Sequence, residues 1–115
     1  MKRPRMNTKI PKAIAPVLAE ARKRLKKIFG KRLKAVILYG SYARGDATKG
    51  SDIDLIVLLQ NVKDPVAELQ KCGPEIHRLD FEYDTLISII PMDYRQFQRR
   101  RLPIILNAKK EGIAL

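Results

Sequence analysis

Apolar side chains recur at Ile14, Val17, Leu18, Ala21, Leu25 and Ile28, and Arg22, Lys23, Arg24, Lys26 and Lys27 occupy much of the rest. This spacing lays the apolar set along one stripe of a 3.6-residue repeat and predicts an amphipathic helix, with Pro16 in its first turn and Gly30 as its stop. The pattern changes at Ala35. Ala35-Val36-Ile37-Leu38-Tyr39 is apolar without interruption, as in a strand covered on both faces. Residues 40–51, with Gly40, Gly45 and Gly50, form a loop or a short helical turn, and Asp52 to Leu59 is a second strand. After a turn over residues 61–64, Asp64-Pro65 supplies the N-cap and first position of a second helix. Gly73-Pro74 is expected to break or kink that helix near residue 72, with a further turn through Leu79. Tyr83 to Ile90 is a third strand, stopped by Pro91. Asp93 and Gln96 have the spacing of a capping box for a helix to Arg100. Pro103 to Glu111, closed by Gly112, is a last helix, and Ile113-Ala114-Leu115 suffices for a short terminal strand.

The order α-β-β-α-β-α-α, with an optional last strand, defines an α/β (α+β) chain. The twelve residues between the first two strands are short for a long crossover. The expectation is therefore a small mixed sheet with helices packed on one side. A length of 115 residues suits one small domain, divided here into a basic tail, 1–12, and a single domain, 13–115. Cys72 stands alone, which excludes an intramolecular disulfide, a cysteine zinc site and a redox pair, and a cytoplasmic location is expected. No apolar run is long enough to span a bilayer, and no apolar stretch follows the basic N-terminus as in a signal peptide.

Charge changes the picture only once it is mapped. The net charge is +12, yet residues 35–115 are balanced and the whole excess lies in residues 1–34, where Glu20 is the sole acid. Such an appended basic face is a solvated surface, a contact for nucleic-acid phosphates through residues 1–34, or a dock for an acidic protein. The absence of Trp counts against sequence-specific base stacking. His77, the only histidine, lies among charged residues on a helix and supports no Ser/His/Asp arrangement.

Asp52 and Asp54 are two apart on a strand, so both carboxylates point the same way, while Ile53 points with Leu55 and Val57 toward the core. Paired carboxylates repel unless a cation lies between them, and Mg²⁺ prefers such oxygen ligands. Upstream, Gly40-Ser41 follows the first strand directly. A glycine there permits a sharp turn and close approach of a ligand; the next N–H groups, the Ser41 hydroxyl and Arg44 can hold phosphate. Tyr39 and Tyr42 flank this turn.

Gly40-Ser41-Tyr42-Ala43-Arg44-Gly45-Asp46, followed by Ser51-Asp52-Ile53-Asp54-Leu55-Ile56-Val57, resembles the minimal nucleotidyltransferase family of the DNA polymerase beta-like superfamily, whose pattern is Gly-Ser, ten residues, Asp-x-Asp. The likeness runs from about Leu33 to Leu115. It implies a third carboxylate on a neighbouring strand, for which Asp84 is the candidate, with Glu82 next and Asp80 disfavoured as the end of the preceding helix. It implies two Mg²⁺ ions held by Asp52, Asp54 and Asp84, nucleotide binding by Gly40, Ser41 and Arg44, and attack of an acceptor hydroxyl on the α-phosphorus of ATP, with Asp84 also available as general base. Minimal members resemble antitoxins paired with a HEPN-domain RNase toxin, onto whose hydroxyl they transfer AMP. The alternatives are a catalytically silent antitoxin that neutralises its partner by complex formation, a small-molecule nucleotidyltransferase, and a nucleic-acid binder using the basic N-terminal helix.

Overall fold

The computed structural model describes residues 10–115. Residues 1–9, most of the expected basic tail, lie outside the described residues. The amphipathic stripe forms helix α1, Ala15–Phe29, and buries Val17, Leu18, Ala21, Leu25 and Phe29. A single 3-10 turn, Gly30–Arg32, leads into strand β1, Leu33–Tyr39. One short helical turn, α2, Ser41–Arg44, precedes strand β2, Ile53–Leu59. Helix α3 spans Pro65–Tyr83, strand β3 Ile87–Asp93, helix α4 Tyr94–Arg99, helix α5 Pro103–Glu111 and strand β4 Ile113–Ala114.

The sheet is mixed, in the order β3-β2-β1-β4. Strand β1 runs antiparallel to β2 and to β4, and β2 runs parallel to β3. Alternation along the strands divides the apolar side chains between two cores. Val36, Leu38, Ile53, Leu55, Val57 and Leu59 pack with α1 and α3. Ile56 and Leu58 pack with Phe97, Ile105 and Ala108 from α4 and α5. The mixed sheet agrees with the sequence; the one-sided packing does not. The opposite face is covered as well, because β2 is apolar on both sides and both must leave water.

Two boundaries also move. Pro74 lies inside α3 without ending it. Its ring is exposed, while Cys72, Ile76 and Leu79 around it are buried, so tertiary packing outweighs the lost hydrogen bond. The helix then continues to Tyr83, and Asp84 caps it in the left-handed region at φ 51°. Pro91 lies within β3 rather than stopping it. An edge strand tolerates the missing N–H, and among the described residues β3 pairs only with β2. The capping reading at Asp93 holds: its carboxylate accepts from the Gln96 amide at 3.1 Å, and also from the Val62 amide at 2.9 Å, which ties α4 to the turn after β2.

Candidate active site

The site grows from one rung of the sheet. Tyr39, the last residue of β1, is the antiparallel partner of Asp54 on β2. Beyond Tyr39 the chain must turn away at once, and Gly40 does so at φ 76°, ψ −153°, a region essentially reserved for glycine. A Cβ on Gly40 would stand 2.4 Å from Asp54 Oδ2. The glycine therefore meets two separate demands: a conformation that other residues avoid, and room for the Asp54 carboxylate beside the backbone. The Ser41 carbonyl accepts from the amides of Gly45 and Asp46 at 3.0 and 3.1 Å. The first amides of α2 have no carbonyl within the helix to receive them, so the turn presents N–H groups next to Asp54. The loop returns through a turn in which the Thr48 amide donates to Ser51 Oγ at 2.8 Å, just ahead of Asp52.

Ile53 is buried with Leu55 and Val57 against α1 and α3, which sends Asp54 to the other face, as the alternation predicts. Asp52, immediately before β2, is exposed, and Asp54 is half-buried. Burial raises the Asp54 pKa, repulsion from Asp52 raises it further, and the Arg44 guanidinium acts against both. Arg44 Nε is 3.3 Å from Asp46, and its Nη1 is 4.0 Å from Glu111. The structure thus brings Gly40, Ser41, Arg44, Asp52 and Asp54 to one end of the sheet. This donor set fits a hard divalent cation: two carboxylates in mutual repulsion, one partly desolvated, beside a turn able to face phosphate oxygens.

Asp84 is not placed with them. The strand that carried it in the sequence reading begins three residues later, and Asp84 is the exposed cap of α3. Glu82 is engaged by Arg24 at 3.0 Å. Among the described residues, no three His, Cys, Asp or Glu side chains gather as a metal-holding group. The parallel register sets Ser88 beside Asp54, so the β3 position on the carboxylate face is a hydroxyl. Helix periodicity through residue 83 was the signal for this, concealed by Gly73-Pro74. Tyr39, which the sequence places beside the glycine turn, also reaches the site through its pairing with Asp54, and so does Glu111, of which local patterns gave no sign because it arrives through chain closure. Of the basic residues on and after α1, Arg24 lies among Glu20, Glu75 and Glu82, and Arg32 is paired with buried Glu68, so both serve the fold.

A mixed sheet with a glycine turn facing a carboxylate pair defines a nucleotide-transfer core. The family model for the nucleotidyltransferase domain matches residues 18–114, and the chain belongs to that family. It is similar to two proteins of Methanocaldococcus jannaschii, each named "putative protein adenylyltransferase". One is 36% identical over 83 residues, covering 72% of this chain and 81% of the relative. The other is 37% identical over 81 residues, covering 70% of this chain and 54% of the relative. Among solved structures, a "putative nucleotidyltransferase" from Sulfolobus solfataricus superposes with a TM-score of 0.64 at 20% identity, over 86% of this chain and 76% of that one. A tri-AMPylated HEPN toxin of Shewanella oneidensis in complex with an MNT antitoxin gives 0.52 at 17% identity, over 85% and 70%. A toxin–antitoxin structure with AMP-PNP gives 0.58 at 19%, over 83% and 69%. At these identities the structures share the fold. The enzyme class read from the sequence, a nucleotidyltransferase, is the class to which the chain belongs. Among the described residues, no helix is long and apolar enough to cross a membrane.

Proposed function

We propose that this nucleotidyltransferase transfers AMP from ATP to a hydroxyl of a protein partner of the HEPN-toxin type and so acts as its antitoxin. The observation that carries the reading is the Asp54 carboxylate seated against Gly40, with Asp52 just ahead of it. The names of the two Methanocaldococcus relatives support a protein acceptor. The toxin–antitoxin complexes that share the fold support the partner.

In this reading Asp52 and Asp54 hold Mg²⁺, which when bound offsets the charge of the triphosphate. The amides after Gly40 and the Ser41 hydroxyl face the phosphate oxygens. Arg44, steadied by Asp46, offers its remaining N–H groups to them. Ile53, fixed in the core, keeps the two carboxylates in place. The acceptor hydroxyl forms a bond to the α-phosphorus as the bond to pyrophosphate breaks. Its proton leaves to water at the β3 edge, where Ser88 rather than a carboxylate borders Asp54.

Labelled ATP with Mg²⁺ and a HEPN-toxin partner protein should give label on that protein. Label on an RNA or a small molecule instead, with none on the protein, rejects the assignment. The Ser88 position favours one second reading, a silent antitoxin that works by occlusion. The Asp52→Asn, Asp54→Asn double variant separates the two: neutralisation that survives it undiminished belongs to occlusion.

A further inference from the structure

Helix α3 carries four acids on the way to its C-terminus. Glu68 pairs with Arg32, and Glu75 and Glu82 pair with Arg24. Asp80, also on α3, pairs with no arginine or lysine among the described residues. Its Oδ1 accepts from the Ile87 amide at 2.8 Å. The carbonyl on the other side of that same peptide group, Leu86 O, accepts from the Ile53 amide at 2.8 Å. A peptide whose N–H is held by a carboxylate is a better acceptor at its oxygen. We infer that Asp80 is a positioning residue of the nucleotidyl-transfer site: its carboxylate fixes the Leu86–Ile87 peptide, and that peptide fixes the backbone of Ile53 between Asp52 and Asp54.

Two features show why the sheet alone does not do this. Among the described residues strand β3 is an edge strand paired only with β2, so its first rung, level with the carboxylate pair, is held by the sheet from one side. The link from α3 to β3 is only residues 84–86, and it contains Asp84 at φ 51° and a buried Thr85 hydroxyl that has no hydrogen-bond partner among the described residues. Asp80 organises that link from both of its ends. Its carbonyl accepts from Thr85 N at 3.1 Å, and its side chain takes up the first amide of the strand. Burial raises the Asp80 pKa, the Ile87 amide and then the charge of His77 lower it, and repulsion from Asp52 raises it.

The inference rests on reading Asp52 and Asp54 as the metal site, and its experiment separates the two claims. Amide exchange followed by NMR reads the backbone, and Mn²⁺ alone, titrated by electron paramagnetic resonance, reads the carboxylates. Asp80→Ala should speed exchange at Ile53 and Ile87 by about tenfold, the loss expected for one charge-assisted bond, while Val57 and Leu59 on the same strand stay unchanged. Mn²⁺ binding should weaken several-fold. Asp80→Asn, which retains an acceptor oxygen, should restore both. Asp80→Glu, which keeps the charge but displaces the oxygen by a methylene, should resemble Asp80→Ala and serves in its place if that variant does not fold. Uniform acceleration along β2, unchanged Mn²⁺ binding in Asp80→Ala or Asp80→Glu, or an Asp80→Asn variant as impaired as they are overturns the inference. A wild-type protein that binds no Mn²⁺ overturns the metal reading and leaves the exchange test of Asp80 standing.

Discussion

Gly40→Ala tests the core of the site. At φ 76°, ψ −153° an alanine occupies a region costing on the order of 1–3 kcal/mol. Its Cβ would stand 2.4 Å from Asp54 Oδ2 and 3.3 Å from Asp54 Cγ, whereas ordinary contact begins at 3.4 Å. The carboxylate must therefore withdraw by about 1 Å, and a displacement of that size costs on the order of 10²-fold in rate. Strand β2 cannot follow, because Ile53 and Leu55 on either side of Asp54 are fully buried. Gly30→Ala is the control: its backbone lies at φ 59°, ψ −131°, and an added Cβ meets nothing within 4 Å. Urea unfolding should show a similar loss of stability, about 1–3 kcal/mol, in both variants. Transfer of label from ATP, corrected for the folded fraction, and Mn²⁺ binding should both fall only in Gly40→Ala. A Gly40→Ala protein that keeps a third or more of the wild-type rate, or a Gly30→Ala protein as inactive as Gly40→Ala, would show that Asp54 does not need the space beside Gly40.

Asp54→Asn should abolish transfer yet stabilise the fold. The folded state holds the Asp54 proton more tightly than the unfolded chain does, so its ionised form opposes folding at neutral pH and that penalty fades as pH falls through the raised pKa. The variant should be more stable than the wild type at pH 7 by urea titration, and the difference should vanish below about pH 4. Arg32→Met should destabilise by about 3 kcal/mol, since it leaves Glu68, 5% exposed, with only Lys71 at 3.4 Å. Arg32 holds the Glu68 pKa below the usual value, so the pair stabilises the fold above the unfolded pKa of about 4.3 and loses that contribution as pH falls through the folded one. Chemical denaturation between pH 3 and 7 should show this acid-side loss in the wild type and not in the variant. Gly73→Ala, in the interior of α3 with open space around the added Cβ, should raise stability by about 0.5–1 kcal/mol and the melting temperature by several degrees.

The parts of this fold legible in the sequence are those set by local periodicity. The α1 stripe, the two central strands, the Asp64-Pro65 start and the Asp93 cap each depend on side chains within a few residues of one another. The Gly40 turn was legible for the same reason: a glycine directly after a buried strand has few alternatives. The misread parts were decided elsewhere in the chain. Pro74 stays helical because Cys72, Ile76 and Leu79 are buried around it, and Pro91 stays in β3 because no further strand among the described residues pairs with that edge. The second core was hidden because the continuous apolar run of β2 shows that both faces are covered but not by which helices. Extending α3 by one turn was enough to remove Asp84 from the sheet, so a single boundary decided the third acid.

That boundary gives the site an asymmetry. The carboxylate pair sits on central strand β2, between β1 and β3. On the β1 side the chain supplies a glycine turn, free amides, a hydroxyl and Arg44, which is what a triphosphate requires. On the β3 side it supplies Ser88, an edge strand with no further neighbour, and Asp80 engaged in holding that strand. Under the proposed function the nucleotide end is built from this chain's own residues, whereas on the β3 side the Asp80 carboxylate is taken up by the Ile87 amide and, among the described residues, Ser88 is the side chain paired with Asp54. Transfer under the proposed function then depends on the acceptor's own surface to place its hydroxyl against the α-phosphate. An isolated serine or tyrosine, brought by no docking surface, should accordingly be a poor acceptor even at high concentration. The specificity of the reaction would reside in the fit of the partner against the β3 edge rather than in a pocket of this chain.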